Sequence, residues 1–573
     1  MNREEIYDLA PWSKHYGEGA QSKLEAPRDA NLPAMIEAAA KRFDTKLAFT
    51  CVMPNGMYGN LSFADIDRMS DAFAVYLREV LGLKAGARVA VQLPNCLSTP
   101  IAVFGILKAG CILVNTNPLY TEREMKHQFN DSGAEAVVLI DMFADKMAAI
   151  QRETGVKHVI LCSVSSFFPN VVRQIIKGIQ KYWNKAIPTT SLPHVSINEA
   201  IAKGAQAKAD LRVDVGGYWR KLTQDDLALL QYTGGTTGVS KGAMLTHGNL
   251  LWNIEQILAL GRAQINEGEE TVLTALPVYH IFAFTANLLS FFRVGARNLL
   301  IPSPRPIQNL QRAFENYRVT WISGVNTLYN ALLNEEWFLA FPPKHLKAAI
   351  GGGAAMHSAV VKRWEEVTGA PLAEGYGLTE SSPVVCFQPF VGLRKTDSIG
   401  IPAPGTAIRL VDDDGKPVAA GEPGELIVRG PQVMHGYWNQ AEDTAKTLRD
   451  GWLYTGDVAV MDSDYMFRIV DRKKDLIIVS GFNVYPNEIE DALSKHDKVL
   501  EAAVIGVKDA KTGEAVRAFV VKRDDTLSEA ELLAHCRSLL TGYKIPAKIV
   551  FRDELPKTPI GKILRKELRK EAV

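Results

Sequence analysis

Tyr232–Leu250 reads YTGGTTGVSKGAMLTHGNL, and its setting decides the fold class. The apolar run Leu227–Leu230 precedes it and a helical pattern opens near His247. A buried strand feeding a polar loop and then a helix belongs to α/β layers. Closely spaced Gly and Thr let backbone N–H groups converge on an anion, the hydroxyls add donors, and Lys241 adds positive charge. A plain surface turn has no need of that composition. No GxxxxGK[ST] occurs here, so this is not a Walker A loop. Gly238–Gly242 matches GxSxG formally. The hydrolase elbow, however, needs a strand running straight into the serine, and a polar loop enters instead.

Outward from the loop, strand-like runs alternate with helical patterns. Arg88–Leu93 predicts a strand, Thr99–Ala109 a helix and Cys111–Asn115 another strand; Ala136–Ile140 and His158–Leu161 extend the series. Residues 400–470 change character, with short strands broken by Asp414-Gly415, Gly421–Gly424 and Gly430-Pro431, the mark of an antiparallel β-rich segment. After Arg472 the order is helix, strand, strand, helix. The expected architecture is therefore α/β: a large N-terminal body of several subdomains (1–470), a hinge at 471–474 and a small α+β domain (475–573).

The 573 residues fit this subdivision, at roughly 150 residues per domain. With 47% apolar residues the chain is not disordered, and 65 basic against 64 acidic residues give no excess for phosphate backbones. No nucleic-acid partner is expected. The six cysteines form no CxxC pair, which excludes a zinc ribbon and a disulfide framework. Two uncharged stretches, Val89–Leu107 and Thr271–Phe292, are broken by Pro, Asn and His and read as buried core rather than spans. The start MNREEIYDLAPW has no apolar h-region. The expectation is a cytoplasmic protein.

Further strings follow in one order down the chain. They are IGGGAA at Ile350–Ala355, EGYGLTE at Glu374–Glu380, WLYTGD at Trp452–Asp457, DRKKD at Asp471–Asp475 and LPKTPIGKILR at Leu555–Arg565. With the opening loop they resemble the signature of the adenylate-forming superfamily, which includes acyl- and aryl-CoA ligases, luciferases and peptide-synthetase adenylation domains. The resemblance covers nearly the whole chain. It implies that Thr233, Gly234, Gly235, Thr236, Thr237, Gly238 and Lys241 receive the ATP phosphates, with Thr236 also serving catalysis and Mg²⁺. It implies that Gly352, Gly353 and Ala354 border the adenine, where missing side chains let a flat base lie on the backbone. Glu374 and Gly377 complete the nucleotide pocket, Tyr376 stacks on the base, Thr379 meets the α-phosphate and Glu380 holds Mg²⁺. That suits a hard cation bound through one carboxylate and substrate phosphates. Asp457 and Arg472 take the ribose.

Lys562 stands where the family has its catalytic lysine. A carboxylate attacking an α-phosphate brings anions together, and a placed cation lowers that cost. The implied reaction has two steps: the acid displaces pyrophosphate from ATP·Mg²⁺, then the thiol of CoA attacks the acyl-adenylate. In relatives the small domain turns about 471–474 between the steps, so that Lys562 leaves and the 471–482 face enters. Gly481 and Phe482 then line the CoA path.

Asp450–Phe482 resembles the fatty-acyl-CoA synthetase signature, and PVYHIFAF (Pro277–Phe284), ISGVNTLYNALL (Ile322–Leu333) and SGFNVYPNEIEDAL (Ser480–Leu493) resemble bacterial long-chain members. One departure is Tyr465, where those members carry Gly. A fatty acid is the expected substrate; Trp252, Phe282, Phe284 and Leu288 are candidate walls of its tunnel, and His280 borders its carboxylate. An aryl-CoA ligase and a carrier-loading adenylation enzyme remain open on the same scaffold, and so does a homodimer. Val171–Ile187 places Val171, Val172, Ile175, Ile176, Ile179 and Trp183 on one helical face, with Arg173, Lys177, Lys181 and Lys185 at i+4 spacing and no acid between them. That pattern fits peripheral contact with an anionic membrane.

Overall fold

Arg88–Gln92, Ile112–Asn115 and Ala136–Ile140 are nearly continuous apolar runs, and they lie side by side as parallel strands. Parallel strands are covered on both faces, which is why these runs show no alternation. The computed structural model describes residues 5–16, 24–233, 240–480, 482–509, 511–558 and 561–571. Leu227–Thr233 joins the same sheet parallel to Ile112–Asn115. The strand–loop–helix reading of the opening stretch omitted one element. Lys241–Thr246 is an antiparallel strand returning along Leu227–Thr233, and only then does the helix His247–Gly261 begin. Lys and Gly at its start hide its strand character. Thr246 caps the helix: its Oγ1 accepts from the Asn249 N–H at 3.1 Å, and the Asn249 side chain accepts from the Thr246 N–H at 2.9 Å.

A second sheet, of nine strands, carries Thr271–Thr274, Trp321–Gly324, Ala348–Gly351 and Leu372–Gly377 as parallel neighbours in that order. Residues 400–470 form the expected antiparallel sheet, built on Ala407–Val411, Gly424–Arg429 and Trp452–Met461. Phe467–Arg472 pairs along its edge, so Asp457 and Arg472 stand directly opposite each other. Tyr465 sits in the preceding turn with φ +64°, the left-handed region that glycine enters freely. Lys14 lies 4.8 Å over its ring.

The chain changes sheets between Arg472 and Ile477. Beyond that point Val499–Asp509 and Gly513–Lys522 pair antiparallel, with Lys548–Arg552 parallel to the latter. The helices Pro486–Ser494 and Glu529–Leu539 flank a separate apolar core that includes Val504, Val520 and Leu532. The basic stretch forms the helix Asn170–Gly178 and a wider turn, Ile179–Trp183. Its apolar face divides: Val172 and Ile176 pack on the body, whereas Val171 is 73% and Trp183 86% exposed, with Ile175, Ile179 and Tyr182 exposed between them. No helix among the described residues is long and apolar enough to cross a membrane.

Candidate active site

The carboxyl ends of both parallel sheets open onto one cavity of about 1780 Å³, which is where α/β sheets place ligands. The polar end of that cavity is assembled from distant segments. The Tyr376 hydroxyl donates to Asp457 Oδ2 at 2.7 Å, and Arg472 Nε lies 3.3 Å from Asp457 Oδ1. Burial, with the Asp457 charge beside it, pushes the Tyr376 phenol well above its ordinary range, so it stays a donor. Gly377 is required by a close approach, since a Cβ there would lie 1.9 Å from the Pro383 carbonyl oxygen. Gly352, Gly353, Ala354, Thr379 and Glu380 line the same cavity, as does Thr233. Gly234, Gly235, Thr236, Thr237 and Gly238 lie outside the described residues.

Glu380 accepts from the Tyr437 hydroxyl at 2.7 Å, and its second oxygen has no hydrogen bond among the described residues. A half-occupied carboxylate in the cavity wall fits one protein ligand of Mg²⁺. No cluster of three or more His, Cys, Asp or Glu among the described residues forms an all-protein cage. Tyr437, which holds this carboxylate, was not singled out from sequence; it lies in HGYW with no spacing signal. Lys241 is turned aside: its Nζ pairs with Asp443 Oδ2 at 2.6 Å, over the Tyr437 ring, and the cavity wall holds Ser240 instead. Glu374 is buried and accepts from the Met356 N–H at 3.3 Å; burial pushes its carboxyl up to about 8. It is therefore a neutral acid at pH 7.

His280 closes the turn that follows Thr271–Thr274, its N–H donating to the Pro277 carbonyl at 3.0 Å, and its Nδ1 accepts from the Phe282 N–H at 3.3 Å. Burial, and then the charge of Lys562, push its imidazole down to about 4, so it is neutral at the acyl end. Lys562 reaches this point from the small domain. Gly561 adopts φ +89° and its carbonyl accepts from Thr327 Oγ1 at 3.3 Å. A Cβ there would lie 2.7 Å from the same hydroxyl oxygen, so only glycine brings the loop this close. Burial and the neighbouring Arg472 push the Lys562 ammonium down to about 7. Arg565, also in the cavity wall, braces the loop by pairing with Glu490 at 2.7 Å and Asp471 at 3.5 Å.

The other end of the cavity is apolar. Of the four tunnel-wall candidates it holds Phe282. Phe284 and Leu288 are 0% and 1% exposed and belong to the main core, and Trp252 is not in the wall. The reason is local. Ala283–Ser290 is a π-type helix, whose wider turn brings Phe282, Ala286, Ser290 and Phe291 to the cavity in place of Phe284 and Leu288. Ile257, Leu258 and Gly261 supply the wall from the carboxyl end of the helix His247–Gly261, whose first half holds Trp252, and Ile265 follows just beyond it. Phe482 stacks on Tyr543 with centroids 4.8 Å apart and is 56% exposed, away from the cavity. Gly481 lies outside the described residues.

Comparison with known proteins agrees with this geometry. The AMP-binding enzyme family matches residues 36–438, and the AMP-binding enzyme C-terminal domain matches 488–562. The long-chain-fatty-acid–CoA ligase of Yersinia pestis is 48% identical, with 98% of each chain covered. That of Escherichia coli is 47% identical at the same coverage. Among solved structures, the anthranilate CoA ligase AuaEII in complex with anthranoyl-AMP superposes with a TM-score of 0.82 at 25% identity, covering 95% of this chain and 98% of that one. With its motifs gathered around one cavity and its whole length matched, the chain belongs to the AMP-binding enzyme family, the adenylate-forming enzymes.

Proposed function

We propose that the protein converts a long-chain fatty acid, ATP and CoA to fatty acyl-CoA, AMP and pyrophosphate through an acyl-adenylate. The observation that carries this reading is the continuity of the cavity, in which a polar end lined by Tyr376, Asp457 and Arg472 shares one space with an apolar arm and with His280 and Lys562. The identity to long-chain-fatty-acid–CoA ligases supports it. In the first step Tyr376, Asp457 and Arg472 hold the nucleoside, and the neutral His280 borders the substrate carboxylate. Lys562 donates to the anionic oxygens that develop as the carboxylate oxygen bonds to the α-phosphorus and pyrophosphate leaves. Glu380, with Thr236, would hold Mg²⁺, which when bound neutralises phosphate charge. In the second step the CoA sulfur bonds to the acyl carbon, AMP leaves, and the thiol proton passes to solvent.

Lys562 occupies the place where CoA would approach, so the small domain turns about 471–474 between the steps. The seam suits that motion. It is crossed by hydrogen bonds such as Thr327 to Gly561, Asn330 to Leu500 and Ser358 to Asp491, each worth only about 1 kcal/mol net. Acid-dependent pyrophosphate exchange tests the reading. Hexadecanoate should drive it and a coumarate-like acid should not; the reverse selects the aryl-CoA ligase. Exchange without CoA-dependent thioester formation selects a carrier-loading enzyme.

We also propose that the exposed ridge Val171, Ile175, Ile179, Tyr182 and Trp183 rests on the cytoplasmic face of an anionic membrane, with Lys177, Lys181 and Lys185 beside the headgroups. A substrate that partitions into lipid gives the contact its use. The variant with Arg173, Lys177, Lys181 and Lys185 changed to Glu should lose co-sedimentation with phosphatidylserine vesicles and keep its activity on dispersed fatty acid. Undiminished co-sedimentation would dispose of the idea.

A further inference from the structure

The apolar arm has a direction and an end. The polar groups sit where the parallel strands finish, at Gly351–Gly352 and Glu374–Gly377. Trp321 is also in the cavity wall, yet it is the first residue of its strand, Trp321–Gly324. Three residues at ~3.3 Å each place it ~10 Å back along the sheet from the strand's carboxyl end. The arm therefore runs against the strand direction and reaches Trp321 last. Its strand neighbours are small on that face: Ala348 is in register with Trp321, and Ala373 with Ile350. They leave the space that the indole fills. Phe291 and Phe390 close in on it with ring centroids at 5.6 and 5.2 Å.

Of these three rings only the indole is tied by a hydrogen bond. Its Nε1–H donates to Glu270 Oε2 at 3.2 Å. Glu270 is a carboxylate 1% exposed, and its other oxygen accepts from Lys347 Nζ at 2.5 Å and from the Asn266 N–H at 2.7 Å. Lys347 in turn donates to the Gln264 carbonyl at 3.1 Å. Burying an ion pair is no gain in stability over an apolar pair of the same size, so its value lies in what it fixes. Here it fixes an indole against a cavity wall.

We propose that Trp321, held by the buried Glu270 and its partner Lys347, is the end wall of the acyl arm and sets the longest chain the enzyme accepts. This rests on the fatty-acid reading above. Trp321 acts by steric limit and Glu270 is a positioning residue. An acyl chain that ends short of the indole pays nothing, whereas each further methylene must displace a ring that cannot swing without breaking its hydrogen bond.

The experiment is kcat/KM for acid-dependent thioester formation across octanoate, dodecanoate, hexadecanoate, octadecanoate and docosanoate. Trp321→Ala should raise the ratio of the longest acids to the wild-type optimum by about tenfold or more, the worth of one or two methylenes in an apolar pocket. Trp321→Phe keeps most of the bulk and covers the case in which the alanine variant does not fold; it should move the ratio in the same direction and less. Glu270→Ala should also shift it toward long acids, and Glu270→Gln, which keeps an acceptor for the indole, should restore the wild-type profile. A purely structural role predicts lowered Tm with an unchanged chain-length ratio in every variant, and that result overturns the proposal. If wild-type enzyme is driven by no fatty acid at all, the functional reading falls instead, and the two failures are distinct.

Discussion

The two ends of the cavity are built by different rules. At the polar end each residue does something few others do. Gly377 admits a carbonyl at 1.9 Å from where a Cβ would be, Asp457 takes Tyr376 and Arg472 on its two oxygens, and Gly561 brings a lysine in from another domain. At the apolar end the wall is Ile257, Leu258, Ile265, Phe282 and Phe291, side chains that any core would accept. Chemistry that depends on a charge or a missing Cβ narrows the choice of residue, and contact with a hydrocarbon does not. The polar end is expected to fail by residue, the apolar end by volume.

Lys562→Ala is the most severe way to test that contrast. Adenylate formation should fall by about 10²–10³-fold, the loss expected when one placed charge leaves a developing anion. A supplied acyl-adenylate should still react with CoA at close to the wild-type rate, since the small domain has turned by then. Equal loss in both half-reactions, measured by pyrophosphate exchange and by thioester formation from the adenylate, would place Lys562 outside the first step.

Asp457→Asn probes the same end without removing a cation. The amide keeps the shape but gives up the charge that Arg472 faces and the acceptor strength that Tyr376 uses. A charge-assisted pair is worth about 1.5–3 kcal/mol, so the KM for ATP should rise roughly 10–100-fold with a smaller change in kcat. An unchanged KM for ATP with a lower kcat would mean that Asp457 serves the reaction rather than the nucleoside.

The same asymmetry governs what sequence reveals. Tyr376, Asp457, Arg472 and Lys562 lie far apart in the chain, yet each was legible because it stands in a string whose glycines and charges have few substitutes. The parallel strands were legible as unbroken apolar runs, and the antiparallel sheet as turns at fixed intervals. Lys241–Thr246 was not, because KGAMLT lacks both patterns and gains its strand state by pairing with Leu227–Thr233. Phe284 and Leu288 misled for a related reason. Their neighbour Phe282 faces the arm, and no propensity announces the π-type turn that sends the others into the core. Tyr437 and Trp321 gain their roles through tertiary partners alone.

A milder test of the polar end uses protons. The Lys562 ammonium is pushed down to about 7. A bound triphosphate favours the charged form and raises that value. At about pH 8 the free lysine is mostly neutral, so ATP binding must take up close to one proton per site, and at about pH 6 almost none. ATP affinity should then weaken as pH rises above 7, by up to about tenfold per unit, since the proton becomes harder to supply. Calorimetry in two buffers of different ionisation enthalpy reads the uptake directly. It should vanish in Lys562→Arg, whose guanidinium stays charged throughout; uptake that persists there belongs to another group.

The smallest effect is expected at Phe284, and it is the sharpest test of the apolar end. Phe282 and Phe284 stand two residues apart in one string, yet only Phe282 faces the arm while Phe284 packs into the main core at 0% exposure. Phe284→Leu should cost about 1–2 kcal/mol of stability, a loss of core volume that partial collapse moderates, and leave the chain-length profile of kcat/KM unchanged. Phe282→Leu removes bulk from the wall itself, so it should alter the acyl preference with little loss of Tm, because the lost contacts face a cavity rather than close-packed core. If instead Phe284→Leu moves the chain-length optimum, the π-type turn does not separate wall from core as its spacing requires, and the arm must pass on the other side of the segment Ala283–Ser290.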